Sequence, residues 1–450
     1  GPRPIPLIGN LHQLPQKEFF KTYASWSKQY GPIVYFTIFG RKFVILNDLN
    51  IIDDLLVKRS NIYSTRPHLV MAGELVGRDE TSILFLKYGR RLKEVRRILT
   101  IWFGKNSMRE NYPTMLKSNR RYLRTLLESP DGMLEHIKLS FGSLMMEMAY
   151  GIDSSNVQRF ISMAEEMNQI TSKASKPGSW LCDSFPILAK VPPWAPFAHF
   201  RRWAIASRKA IHQTILAPYN ATRDSLLRDE PNSSWLAKSM LGRDGKIVSG
   251  LEAEDLWTAA AGVYVGAIDT TVTLLYTFYQ MMLRHPDVQH KAQAEIDNII
   301  GLDRLPSIED MDTLPYITNV IREIIRFTGV VPLAPHSLDE DNVYNGYKIP
   351  KGSWVVGNIW GVLHDPDIFH NPDDFIPDRY DDTKGWRAEP DLTQAAFGFG
   401  RRACPGIYFA HASLFIHVTS VLSAFVIKPT LDDGGDCELP PVSFNDGHIR

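Results

Sequence analysis

The segment FGFGRRACPG, Phe397 to Gly406, constrains this chain most: it puts one cysteine on a glycine-rich loop directly ahead of a long apolar helical stretch, Ile407 to Val426. Glycines at 398 and 400 let the backbone lie close against a flat, bulky partner, where a Cβ would collide with it. Cys404 is expected at a helix start. Pro405 suits the first helical position, and the unpaired amides of the first turn, with the positive end of the helix dipole, favour a sulfur held as thiolate. Arg401 and Arg402 add positive charge nearby. A thiolate metal ligand needs this setting; a buried structural cysteine in a loop is the plainer alternative.

With 44% hydrophobic residues in 450, the chain can bury a large core. Length alone allows two or three domains, but no Ser/Gly-rich linker, repeat or low-complexity segment divides the chain, so one catalytic unit over 1–450 is expected. The balance of 50 basic and 50 acidic residues speaks against a nucleic-acid binder recruited by bulk charge. Cys182, Cys404 and Cys437 are too scattered and too few for a disulfide framework or a zinc site, and fit a reducing compartment. No run of about 18 apolar residues is found, so no helix is expected to span a bilayer.

Ile33 to Leu46, IVYFTIFGRKFVIL, reads as two strands about Gly40-Arg41. Helical periodicity marks Tyr88–Phe103, Asp255–Leu283, His290–Ile300, Leu314–Phe327 and Ile407–Val426. Short strands return between Asn342 and Val356. Five prolines keep Pro177–Phe197 from forming a long helix. The sequons at Asn220 and Asn232 are matches of a kind common by chance.

Three further constellations stand out. In AGVYVGAIDTTVTL, Ala261–Leu274, Thr270 is positioned to bond the Gly266 carbonyl four residues back and bend the helix. Mid-helix Gly266, beside Ala267, suggests close approach of another group, and Asp269 supplies a carboxylate; a plain polar helix face is the alternative. Glu323 and Arg326, at i and i+3, share a helix face, a pair that in isolation means little. In YGRRLKEVRRILTIWF, Leu92, Val95, Leu99 and Trp102 form an apolar stripe with Arg96 at its edge, while Arg90, Lys93 and Arg97 gather on another side.

Phe397, Gly400, Arg402, Cys404 and Gly406 occupy every fixed position of FxxGxRxCxG, the haem-binding signature of cytochromes P450, and the chain resembles a fungal-looking microsomal member of that family from end to end. The resemblance implies a mainly α fold with small β-sheets, and haem b (iron protoporphyrin IX) held between the acid-threonine helix and the Cys-ligand helix. It makes Cys404 the axial iron ligand and gives Phe397, Gly398, Arg402, Gly406, Ala267, Arg96 and His336 places around the haem. Arg96 would pair with a propionate, with Leu92 standing where the family usually has Trp; His336 is either a second propionate partner or a capped loop histidine. Asp269 and Thr270 would direct protons to dioxygen, although Gly266 sits one place earlier than the family's glycine. Glu323, Arg326 and Arg379 resemble the family's structural Glu-Arg-Arg network.

The implied activity is insertion of one oxygen atom of dioxygen into an apolar small molecule: a terpenoid, an aromatic compound or a lipid-like compound. A haem-thiolate isomerase or dehydratase and a non-enzymatic haem sensor are the alternatives. Ile83, Phe85, Tyr264, Val330 and Val331 would line the pocket, with Tyr264 equally readable as a core residue, and Gly329 replaces the proline expected before that wall. NADPH would act only through NADPH-cytochrome P450 reductase, with cytochrome b5 as a second donor, since no dinucleotide fingerprint occurs: after Gly398 and Gly400 the third glycine place is Ala403. Arg90, Lys93 and Arg97 are either a solvated face or a docking face for that donor. The proline-rich start GPRPIPLIGN implies a membrane anchor ahead of Gly1, the endoplasmic reticulum membrane as location, and a catalytic domain facing the cytosol. Pro177–Phe197 either dips into the membrane or folds onto the core.

Overall fold

A computed structural model describes residues 1–153, 157–242, 244–384, 387–429 and 439; Cys437 lies outside the described residues. The helical periodicities become a body of long helices: α1 (Phe19–Tyr30), α2 (Arg90–Phe103), α3 (Lys105–Glu128), α4 (Met133–Tyr150), α5 (Val157–Ser175), α6 (His199–Leu227), α7 (Gly250–Arg284), α8 (Pro286–Ile299), α9 (Pro315–Thr328) and α10 (Ile407–Ala424), with shorter helical turns between them. The strands are β1 (Ile33–Ile38), β2 (Arg41–Leu46), β3 (Leu333–Ser337), β4 (Asn342–Tyr344), β5 (Tyr347–Ile349) and β6 (Trp354–Asn358).

β1 and β2 form the expected hairpin, with Ile38 opposite Arg41. Its two turn residues are Phe39 and Gly40, both at positive φ, which matches the right-handed twist of the strands they join. β2 then pairs in parallel with β6, and β6 antiparallel with β3, giving the order β1-β2-β6-β3. Residues near both ends of the chain thus share one sheet. β3 did not stand out in sequence because Pro335 and His336 interrupt its apolar pattern.

The main core forms around α7, which packs on α2, α4 and α10. The stripe of α2 is buried as its spacing requires: Leu92, Val95, Leu99 and Trp102 all face inward. Contrary to the expectation from apolar runs, α7 and α10 are both long and apolar enough to cross a membrane. Most of each apolar window is nevertheless buried inside the protein, 61% for α7 and 67% for α10, so their apolarity is that of central core helices.

α9 ends at Gly329, a left-handed cap whose amide donates to the Ile325 carbonyl. Glycine takes this conformation without Cβ strain, so the helix is closed there by a cap where the family's proline would stop it. Residues 177–197 form only short turns, as their prolines dictate. The segment divides its side chains: Trp180 stacks on Trp203, whereas Phe185, Ile187, Trp194 and Phe197 are exposed. Asn232, one of the sequon residues, donates to the Tyr150 carbonyl and to Ser225 Oγ, so its amide is already used within the fold.

Candidate active site

The cysteine loop is built by backbone constraints. Gly398 and Gly400 are both at positive φ, and a Cβ on Gly400 would lie 2.2 Å from the Leu56 carbonyl oxygen. Gly400 therefore serves a close approach between two protein segments, which is a different reason from the flat partner inferred from sequence. The Cys404 amide donates to the Phe397 carbonyl at 2.7 Å, closing the loop on itself. A Cβ on Gly406 would lie 3.8 Å from Cys404 Sγ. The helix begins at Ile407 with Gly406 as its cap, so Pro405 precedes the helix and does not occupy its first turn.

Cys404 is accessible to solvent, yet surrounded by protein at longer range. Burial pushes its thiol up, while the Gly406 N–H donating to Sγ and the charge of Arg96 pull it down without prevailing. The expected help from Arg401 and Arg402 is spent elsewhere. Arg402 donates to the carbonyls of Ser64, Ile83 and Leu86; Arg401 reaches the Tyr88 hydroxyl and lies over its ring. An iron ion would supply the missing charge, since coordination deprotonates a thiol outright.

Cations gather beside the cysteine. Arg96, on α2, has no hydrogen-bond or ion-pair partner among the described residues, and its charge is felt by Cys404, Arg66 and Arg402. Among the described residues Arg66 donates only to the Pro335 carbonyl, and its buried Nε is unpaired. Burial and mutual repulsion hold Arg66 down to about 10 and Arg402 to about 9. Among the described residues the one acidic charge noted near this group is Asp339, which itself accepts from Thr65. Such a cluster calls for anionic groups, and the two propionates of a haem over a thiolate ligand fit it in charge and in fork geometry. Arg66 had no motif to mark it in the sequence.

His336 is tied to the backbone through one ring nitrogen. It is buried in β3, and its Nδ1–H donates to the Tyr63 carbonyl at 2.7 Å. Burial, with the charges of Arg66 and Arg402, holds it well below the usual histidine range.

On α7, Thr270 Oγ1 donates to the Gly266 carbonyl at 2.7 Å, as its spacing predicts. Thr258, Thr273 and Thr277 do the same one or more turns away; what sets Thr270 apart is that Gly266 faces open space, with nothing within 4 Å of an added Cβ. Ala267, the next residue, packs against the main core. Asp269 turns away from Thr270. Its carboxylate accepts from Asn168 on α5, and burial, reinforced by Glu165, raises it, while Asn168 and Lys138 act in the opposite direction. Asn168, invisible in the sequence, is the group that orients the acid.

Of the pocket candidates, Ile83 approaches α7 at Gly262, within 3.5 Å of a Cβ placed there. Phe85 packs on a cluster joining the 70–76 segment, α5, α6 and α7, and Val330 on the main core; Val331 is partly buried. Tyr264 is a core residue, 1% exposed and edge-on to Tyr150, in the main core against which Ile83 and Val330 pack.

Away from the cysteine, Glu323 receives both Arg326 Nε and Nη2 at 2.8 Å, Arg379 Nε at 3.1 Å, the Tyr380 hydroxyl and the Ile376 amide. The three charged side chains are almost fully buried. On α2, by contrast, two of the three basic candidates are paired: Arg97 with Glu94 and Arg90 with Asp255, leaving Lys93 over the Tyr88 ring.

A cysteine loop on a helix entrance, a cationic cluster beside it and a threonine-bearing core helix define a haem-thiolate protein. The family model described as cytochrome P450 matches residues 1–444. The chain is 39% identical to cytochrome P450 monooxygenase 45 of Postia placenta, with 100% of this chain and 85% of the relative covered. It is 34% identical to tryptamine 4-monooxygenase of Psilocybe cyanescens, covering 99% of this chain and 89% of the relative. The chain belongs to the cytochrome P450 family, as one of its monooxygenases.

Arg96→Leu is expected to weaken haem retention about 10-fold, the worth of one charge-assisted hydrogen bond. The rate of haem transfer to apomyoglobin measures it, and an unchanged rate removes Arg96 from the propionate site.

Proposed function

We propose that this chain is one catalytic unit that hydroxylates or epoxidises an apolar small molecule, using dioxygen and electrons from NADPH-cytochrome P450 reductase. The observation that carries the reading is the solvent-accessible Cys404, directly ahead of α10, beside the guanidinium of Arg96, which has no partner among the described residues. Haem, once bound there, supplies dioxygen activation and transfer of one oxygen atom. Cys404 would hold the iron, with the Gly406 amide and Arg96 favouring the charged sulfur. Thr270 would hold a proton donor at the opening beside Gly266, and Asp269, oriented by Asn168, would replenish it from the side of Glu165 and Lys138.

Lys93 and Arg401, both lying over Tyr88, with Arg90 and Arg97 nearby, support a docking face for an acidic electron donor, cytochrome b5 included. Exposed Leu7, Phe185, Ile187, Trp194 and Phe197, with Phe39 set against Phe185 at 5.8 Å, support seating on the endoplasmic reticulum membrane with the catalytic unit towards the cytosol.

The test is turnover with reductase, NADPH and isotopically labelled dioxygen. One labelled oxygen atom in the product is expected; conversion of a hydroperoxide without reductase would support an isomerase instead. In the same assay Thr270→Ala is expected to lower product formed per NADPH about 10-fold or more, the reductant being diverted to peroxide and water. Full coupling in that variant would remove Thr270 from proton delivery.

A further inference from the structure

Among the described residues Arg78 is buried without a counter-charge. It opens a short helical turn, Arg78–Thr81, directly after Gly77, which is at positive φ. Only 4% of it is exposed. Its Nη1 donates to Thr81 Oγ1 at 3.1 Å and otherwise meets the Met167 thioether at 3.7 Å, a weak acceptor; its Nε is buried and unpaired. The other deeply buried guanidiniums are treated differently. Arg326 forks onto Glu323, Arg379 donates to Glu323 and Glu389, and Arg402 donates to three carbonyls. Nor do the adjacent carboxylates turn to Arg78: Glu80 pairs with Arg208 at 2.6 Å, and Asp79 lies against Gly73.

Arg78 adjoins the cluster on which the pocket candidate Phe85 packs. Met167 belongs to the apolar cluster of Val70, Val76, Ile211 and Ala261, against which Phe85 and Val265 pack. Val265 precedes Thr270 by five residues, or about 7.5 Å of helix. The charge of Arg78 is also felt by His212 on α6. Burial alone lowers Arg78, to about 10, which leaves it cationic at neutral pH. A desolvated guanidinium with free donors in an apolar wall is costly unless an anion meets it.

We propose that Arg78 anchors the carboxylate of an otherwise apolar substrate, through a forked pair of charge-assisted hydrogen bonds. The assignment rests on the monooxygenase reading for the nature of the ligand and narrows its substrate class to apolar acids. Holding the acid group against α5 and α6 fixes one end of the molecule and presents its apolar remainder towards α7. Arg78 thereby acts as a specificity-determining residue.

The test is equilibrium binding to the haem-loaded protein, read by the Soret shift and by calorimetry, with matched pairs on two skeletons: dodecanoate against dodecanol, and naphthoate against naphthalenemethanol. In at least one pair the carboxylate is expected to bind about 10-fold or more tightly, the worth of a hydrogen bond to a charged group. Arg78→Met is expected to abolish that preference, and Arg78→Lys, which keeps the charge and loses the fork, to retain part of it. Equal binding within both pairs by the wild-type protein overturns the proposal without recourse to any variant. So does a preference that survives Arg78→Met. A normal CO-bound spectrum in the same samples separates the two levels: with it, absence of preference removes only the anchor, and without it the monooxygenase reading falls first.

Discussion

Cys404→Ala is expected to abolish the red-shifted Soret band of the reduced, CO-bound protein and to reduce reductase-driven turnover to background, while leaving the polypeptide folded. Both halves follow from the site. The Cys404 side chain is accessible and makes one hydrogen bond, from the Gly406 amide, so its loss empties no packed core. Substitutions away from packed or networked positions change stability by about 0.5 kcal/mol or less. Its chemical contribution is irreplaceable, because the other described cysteine, Cys182, is buried in a different cluster with α6. Circular dichroism would report the fold and the CO spectrum the ligand. A red-shifted band that persists in properly loaded Cys404→Ala protein would mean that another residue holds the iron.

The loop holding this cysteine was legible because its constraints are local. Positive φ at Gly398 and Gly400, the return of the Cys404 amide to Phe397 and the helix that follows all lie within a few residues. The same holds for Thr270 and Gly266, separated by one helical turn, and for the β1–β2 hairpin. Sequence reading failed where the deciding partner is distant. Gly400 answers to Leu56, Asp269 to Asn168 and Arg66 to Pro335, none of which periodicity connects. It also missed backbone ties: His336 Nδ1 and the Arg402 guanidinium donate to carbonyls of residues that chain order keeps far away. Tyr264 lies on the same helix as Thr270 but on a face turned to Tyr150 and the core, a distinction that depends on which neighbours surround α7.

Glu323→Gln is expected to destabilise the protein by about 3–5 kcal/mol, the cost of breaking a buried ion pair by removing one partner. That is a large share of the roughly 5–15 kcal/mol by which proteins are stable. The sequence shows only an i,i+3 pair, worth about 0.2–0.5 kcal/mol on an exposed helix. Burial changes its weight. The carboxylate accepts from Arg326, Arg379, Tyr380 and the Ile376 amide, and a glutamine amide would turn two donor hydrogens towards guanidiniums that are themselves only donors. Arg379 retains Glu389, but Arg326 would lose the carboxylate charge and one of its two bonds to residue 323, keeping the carbonyls of Leu363, Pro372 and Asp374. Those carbonyls and Ile376 belong to the segment leading to the cysteine loop, so the network ties α9 to the path that delivers Cys404. A lower urea midpoint and a lower yield of haem-loaded protein are therefore expected together. An exposed pair such as Lys21–Glu18 supplies the contrast, since Glu18→Gln should leave the midpoint in place. If Glu323→Gln unfolds at the wild-type midpoint, the network does not hold this side of the molecule together.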